Sequence, residues 1–295
     1  MKKIFLVAVV ILFCCPYDIC AFSLKTYQDE GVIEVQSECR QLSQGEAVKI
    51  SIRAPSPVRA TARFDGQEYV FVPAGDDSRV FTIIGLSLYT EPGIHELQVS
   101  VAYAARGERE FFFNLPVSEK KFPRARITVG KSYIHPSQKQ QDRMKRERAL
   151  LKEVYGRYTE QWLGSGTFIR PLKGKITGPF GTERIFNGEV RSRHRGIDIR
   201  SPRGRSVGAA NAGRVVLARD LYLAGGTVII DHGIGLFSLY LHLSKITVKE
   251  GSLVGKGKKV GLVGSTGRSS GPHLHWGFRV VDRYVDPESM LRLTF

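Results

Sequence analysis

Two short stretches of this chain concentrate groups that bind metals and move protons. HRGIDI, residues 194–199, sets His194 four positions before Asp198, and GPHLHW, residues 271–276, carries His273 and His275 with one residue between them. The chain has seven histidines in all, so three of them fall in these two places. On an extended strand, side chains an even number of positions apart share a face. His194 then points with Asp198, and His273 with His275. The alternate positions Leu274, Trp276, Phe278 and Val280 are apolar and belong in a core, which turns the histidines toward a groove. The same alternation in GLFSLYLHLS, residues 235–244, groups Ser238, Tyr240 and His242 opposite Phe237, Leu239, Leu241 and Leu243.

A catalytic zinc ion keeps three protein ligands, drawn here from histidine and carboxylate, and leaves a fourth position open. With one carboxylate among them the ion stays net positive, which pulls the pKa of a bound water toward neutrality. The chain has no HExxH segment to supply a glutamate base. Its remaining histidines suit proton transfer near neutral pH. Cysteine offers no ligands: Cys14, Cys15 and Cys20 sit in an export leader, and Cys39 reads as a small buried hydrophobe.

The elements around these groups divide the chain into four parts. MKK followed by IFLVAVVILFCC is a basic start and an apolar run of 12 residues. That run is too short for a membrane span and right for a signal peptide, residues 1–21, cleaved near Ala21. Residues 22–118 alternate in short runs broken by Gly, Pro and Asp, the pattern of an antiparallel, immunoglobulin-like β-sandwich. They hold 9 basic and 13 acidic residues. Residues 119–165 read as a basic helical linker, with one polar helix over 137–162 carrying Met144, Leu151, Val154, Tyr155 and Tyr158 at helical spacing. Its charge is read as a solvated face. Residues 166–295 are Gly-rich and strand-rich, with 21 basic against 9 acidic residues and five of the seven histidines. The chemistry belongs there.

Three segments taken in order, GPFGTERIFNGEVRSRHRGIDI, DHGIGLFSLYLHLS and GSTGRSSGPHLHWGFRV, resemble the signature segments of the lysostaphin-type zinc endopeptidases. These bacterial enzymes cut peptide crosslinks of peptidoglycan, and the likeness covers residues 168–290. The resemblance implies a mainly antiparallel β domain with a long groove and one zinc per chain, bound by His194, Asp198 and His275. It places His273 and His242 beside the reacting water as base and electrostatic stabiliser, without deciding which does which. It implies metal-assisted hydrolysis of an amide in peptidoglycan by a protein exported to the periplasm, the cell envelope or the medium. Without residues 1–21, which hold two Lys and one Asp, the net charge of +16 becomes +15, and such a charge would hold the protein near an anionic wall polymer.

The alternative is a non-catalytic regulator of the same fold that activates another wall hydrolase. Such proteins have lost zinc ligands, and all five positions are intact here. A nucleic-acid binder has the charge but no recognisable module, and the leader argues against it. No stable membrane span is expected after signal removal, and the oligomeric state is left open. His232 reads as structural, and His95 and His135 as bystanders. Asn187-Gly188 reads as a hairpin turn. Gly264 to Gly267 lacks the Lys-Ser/Thr of a phosphate cradle and reads as a turn. The opposite charges of residues 22–118 and 166–295 leave the first domain two roles: covering the groove until substrate is met, or holding the enzyme off the membrane as an inert spacer.

Overall fold

The computed structural model describes residues 9–12, 22–28, 31–37, 42–53, 57–74, 79–103 and 107–295. Most of the leader, its cleavage near Ala21 and Cys39 lie outside the described residues. The chain is mainly β, as the alternating sequence predicts.

The N-terminal part is built from two sheets, one containing Ala47–Arg53 and Arg79–Gly85, the other Pro57–Phe64, Gly93–Tyr103 and Gly107–Ser118. Period-two patterning decides which side chains face inward. Ile50, Ile52 and Ile83 from one sheet and Leu97, Val99 and Leu115 from the other are fully buried in a shared core. Pro57–Phe64 is a strand that the sequence reading passes over. Its inward positions Ala60 and Ala62 are small and give little apolar signal.

The linker does not behave as a tether. Its helix spans Gln138–Gly156 and ends six residues before the sequence pattern suggests. Beyond Gly156, tertiary contacts outweigh helical spacing: Ile234 N–H donates to the Thr159 carbonyl (2.7 Å), and Leu163 N–H to that of His232 (2.8 Å). Trp162 then stacks on Phe295 with ring centroids 5.0 Å apart. The helix buries Val154, flanked by Leu150, Leu151 and Tyr155, against Leu217, Leu221, Ile229, Phe237 and Leu239. Upstream, Arg124–Ile127 pairs in parallel with Glu183–Phe186, which forms a hairpin with Val190–Arg193. The Asn187-Gly188 turn has positive φ at both residues, 50° and 82°, which fits a tight hairpin.

The C-terminal sheet runs Ile176–Gly178, Ile197–Arg200, His273–Val280, Leu236–Leu243, Gly225–Asp231, Gly213–Leu221 and Leu253–Val254, with antiparallel neighbours. Residues directly opposite in register share a face, so Asp198, His275 and Leu241 lie on one side and Ile197, Trp276 and Tyr240 on the other. The helix covers the first face at its far end, over Phe237 and Leu239. The sandwich packs on the second: Phe81 meets Trp162 and Phe295 edge-on, and Asp286 N–H donates to the Gly45 carbonyl (2.7 Å). Gly85 sits so close to Val280 and Val285 that a Cβ would lie about 3 Å from them. The sandwich is therefore behind the sheet, not over the histidine face.

Candidate metal centre

Asp198 and His275 face each other across adjacent strands, and His194 reaches them from the connection after Val190–Arg193, not from a common strand with Asp198 as the alternation suggests. The three converge all the same. His194 Nε2 lies 2.9 Å from His275 Nδ1 and 3.1 Å from Asp198 Oδ1, and His275 Nδ1 is 3.1 Å from that same oxygen. His194 Nδ1 is 2.9 Å from the Pro179 carbonyl, so that nitrogen carries the proton and Nε2 presents a lone pair to the centre. A lone pair and a carboxylate oxygen then face each other with no proton between them. A divalent cation resolves that arrangement, and the donor set of two imidazoles and one carboxylate suits zinc.

Electrostatics keep the donors in their binding forms. Burial pushes the Asp198 carboxyl up, but the neighbouring His194 and His275 rings outweigh it and hold the group well below the usual carboxylate range. Burial lowers His275 to about 4 against the pull of Asp198. It also lowers His242 to about 3, reinforced by His275 and His273. At neutral pH both imidazoles are uncharged. Gly196 makes room for His275, since a Cβ there would lie 2.8 Å from its Nε2.

His242 and His273 complete the cluster, with ring centroids 4.9 Å apart. His273 Nδ1 is 2.8 Å from the Gly271 carbonyl and His242 Nδ1 2.8 Å from the Thr266 carbonyl, so each turns an unprotonated Nε2 inward. His273 Nε2 is 3.6 Å from Asp198 Oδ1. The route by which His242 arrives corrects the expected alternation. Ser238 and Tyr240 point to the opposite, buried face, and simple alternation would take His242 with them. Instead His242 has φ of 63°, within a register shift against Gly225–Asp231, and this bulge swings it to the metal face. The Gly264 to Gly267 loop is more than a turn, because its Thr266 carbonyl orients that ring.

One group at this centre escapes the sequence reading. Arg184 pairs with Asp198 Oδ2, leaving Oδ1 for the metal side. Gly178 allows this, since a Cβ there would lie 2.5 Å from Oδ2. Partners behind a ligand fix its orientation and typically change metal affinity 10–100-fold. Arg184→Ala is expected to weaken zinc binding by about that factor, read by competition with a chelating dye, with Arg184→Lys in between. Equal affinities in all three proteins would contradict the role. The signal was the lone arginine in GTERIF, on a strand beside the HRGIDI segment.

The other histidines stand apart. His95 and His135 are on the surface, against the Glu91 carbonyl and Glu189. His232 is fully buried, with Nδ1 2.7 Å from the Ala212 carbonyl and Nε2 2.8 Å from Ser238 Oγ. Burial lowers its pKa to about 4. A histidine depressed in the fold and ordinary when unfolded stabilises the fold above about pH 6.5, and that contribution is lost as pH falls toward 4. Each such group gives a slope of about 1.4 kcal/mol per pH unit inside that window. In urea unfolding of the metal-free chain, His232→Gln is expected to reduce the slope by that amount. An unchanged slope would contradict a neutral buried imidazole.

Residues 192–287 match peptidase family M23. They form a family M23 domain. A candidate peptidase M23 from Pseudomonas aeruginosa, solved by crystallography, superposes with a TM-score of 0.65 at 28% identity, covering 85% of this chain and 96% of that one. Among curated proteins, an uncharacterized metalloprotease of Haemophilus influenzae is 30% identical over 224 residues, 72% of this chain and 43% of that protein. The peptidoglycan DD-endopeptidase ShyA of Vibrio cholerae is 41% identical over 115 residues, 39% of this chain and 27% of ShyA. The chain thus spans less than half the length of these curated relatives. The M23 match takes in all five cluster residues and stops short of the linker strand Arg124–Ile127.

Proposed function

We propose that this chain is a zinc-dependent endopeptidase that hydrolyses a peptide crosslink of peptidoglycan, with one zinc held by His194, Asp198 and His275. The observation that carries this reading is the convergence of those three donor atoms within 4.8 Å of one another, beside two further imidazoles that turn free Nε2 atoms inward. Bound zinc would supply Lewis-acid polarisation of the scissile carbonyl and of water. His273 and His242 accept the proton of the attacking water at Nε2 and return it to the leaving amine. The Gly271 and Thr266 carbonyls hold each ring in the tautomer this requires.

A groove of about 650 Å³, lined by Thr177, Arg184, Asp198 and His273 and walled by Pro123, Arg124 and Ile127, gives an extended peptide its path to these groups. A peptidoglycan substrate places the protein outside the cytoplasm, in agreement with the export leader read from the sequence. No helix among the described residues is long and apolar enough to cross a membrane. The regulator reading requires lost ligands, and nothing at this centre favours it.

The test is digestion of purified sacculi by the zinc-loaded protein, with products identified by mass. Release of peptides gaining one water at a crosslink supports the reading. Intact sacculi of both diaminopimelate-linked and glycine-bridged types would refute it.

A further inference from the structure

The groove beside the metal centre carries three arginines and one carboxylate along its lining: Arg124, Arg184 and Arg200 against Asp198. Two of the three have partners. Arg184 holds Asp198, and Arg124 donates from Nε to Glu183 at 2.8 Å. Arg200 is exposed, and among the described residues its guanidinium takes no hydrogen bond or ion pair. An arginine is a planar fork matched to a carboxylate, and this one has none among the described residues.

Register fixes where Arg200 sits. It is directly opposite His273, and it lies two residues from Asp198 on the same strand and therefore on the same face. Opposed residues on adjacent strands have Cβ atoms about 4.5–5.5 Å apart, and two residues along a strand advance about 7 Å. A peptide that runs along this strand from a scissile amide at His273 brings its next one or two residues past Arg200. The groove is also lined by Pro123 and by Arg124, Ala125 and Ile127 of the linker strand, a stretch with no acidic residue to neutralise Arg200.

We infer that Arg200 is a carboxylate subsite: it binds a free carboxylate of the substrate peptide one or two residues from the bond that is cut, and so selects acidic over amidated stem peptides. This rests on the peptidase reading above and adds to it a substrate class set by charge. The arginine acts on binding, not on proton transfer, so its contribution appears in KM more than in kcat.

The experiment compares two purified crosslinked peptide dimers, identical except that the carboxylates flanking the crosslink are free in one and carboxamides in the other. The full chain loaded with zinc is expected to prefer the free acid about tenfold or more in kcat/KM, carried by KM. Arg200→Gln is expected to abolish the preference with zinc content unchanged, and Arg200→Lys to keep part of it. Equal preference in wild type and Arg200→Gln would overturn the subsite. If the wild type cleaves neither dimer, the peptidase reading fails separately. Equilibrium binding of the same two dimers then decides the subsite, because Arg200→Gln must still erase any discrimination.

Discussion

With alanine at His273 or at His242, the protein is expected to keep one zinc per chain and to lose roughly a hundredfold or more of its peptidoglycan hydrolysis, the range for removal of a general acid or base. The expectation follows from where the ring nitrogens point. Both residues spend Nδ1 on backbone carbonyls and turn Nε2 inward, yet neither belongs to the triplet whose donor atoms meet. Alanine at His275 is expected to behave differently. It removes a donor 2.9 Å from His194 Nε2 and 3.1 Å from Asp198, so zinc and activity are lost together. Zinc analysis beside a hydrolysis assay separates the two classes. A His242→Ala protein without zinc would move that residue into the ligand set.

The second large effect is expected from truncation. The fragment of residues 166–295 contains every cluster residue but lacks the linker helix, Trp162 and the strand Arg124–Ile127. It would expose Leu217, Leu221, Ile229, Phe237 and Leu239, all buried beneath the helix. At about 1.5–3 kcal/mol for each large apolar side chain returned to water, the loss is on the order of 10 kcal/mol, comparable with the whole stability of a domain. The fragment is expected to show no cooperative thermal transition, or one far below that of residues 22–295, and to be less active. A covering role for the N-terminal domain requires the reverse, a fragment that works faster than the longer chain. A well-folded fragment of undiminished activity would show that the linker is dispensable.

The site was legible where chemistry is local in the sequence. HRGIDI and HLH carry the donor atoms within a few residues, and alternation on His273–Val280 correctly puts Trp276 and Phe278 in the core. Legibility failed where position depends on distant backbone. Nothing in LYLH announces that His242 takes a left-handed conformation, and alternation alone groups it with Ser238 and Tyr240. Arg184 has a role only because Gly178 and Asp198 come together across two strands. The linker looked like a solvated polar helix because 12 of its residues between 119 and 160 are basic. Its function rests instead on a few side chains, Val154, Tyr155 and Trp162, and on a four-residue strand whose partner lies some 60 residues further on.

The proposed chemistry requires that His194, Asp198 and His275 hold one metal ion and that this ion drive hydrolysis. Stripping the full chain with a chelator and returning zinc in measured portions, with hydrolysis of purified sacculi followed at each step, tests it directly. The rate is expected to rise in proportion to zinc, stop at one equivalent per chain, and stay at background throughout in His275→Ala. Hydrolysis that survives stripping, or that returns in His275→Ala with one equivalent of zinc, would contradict the account.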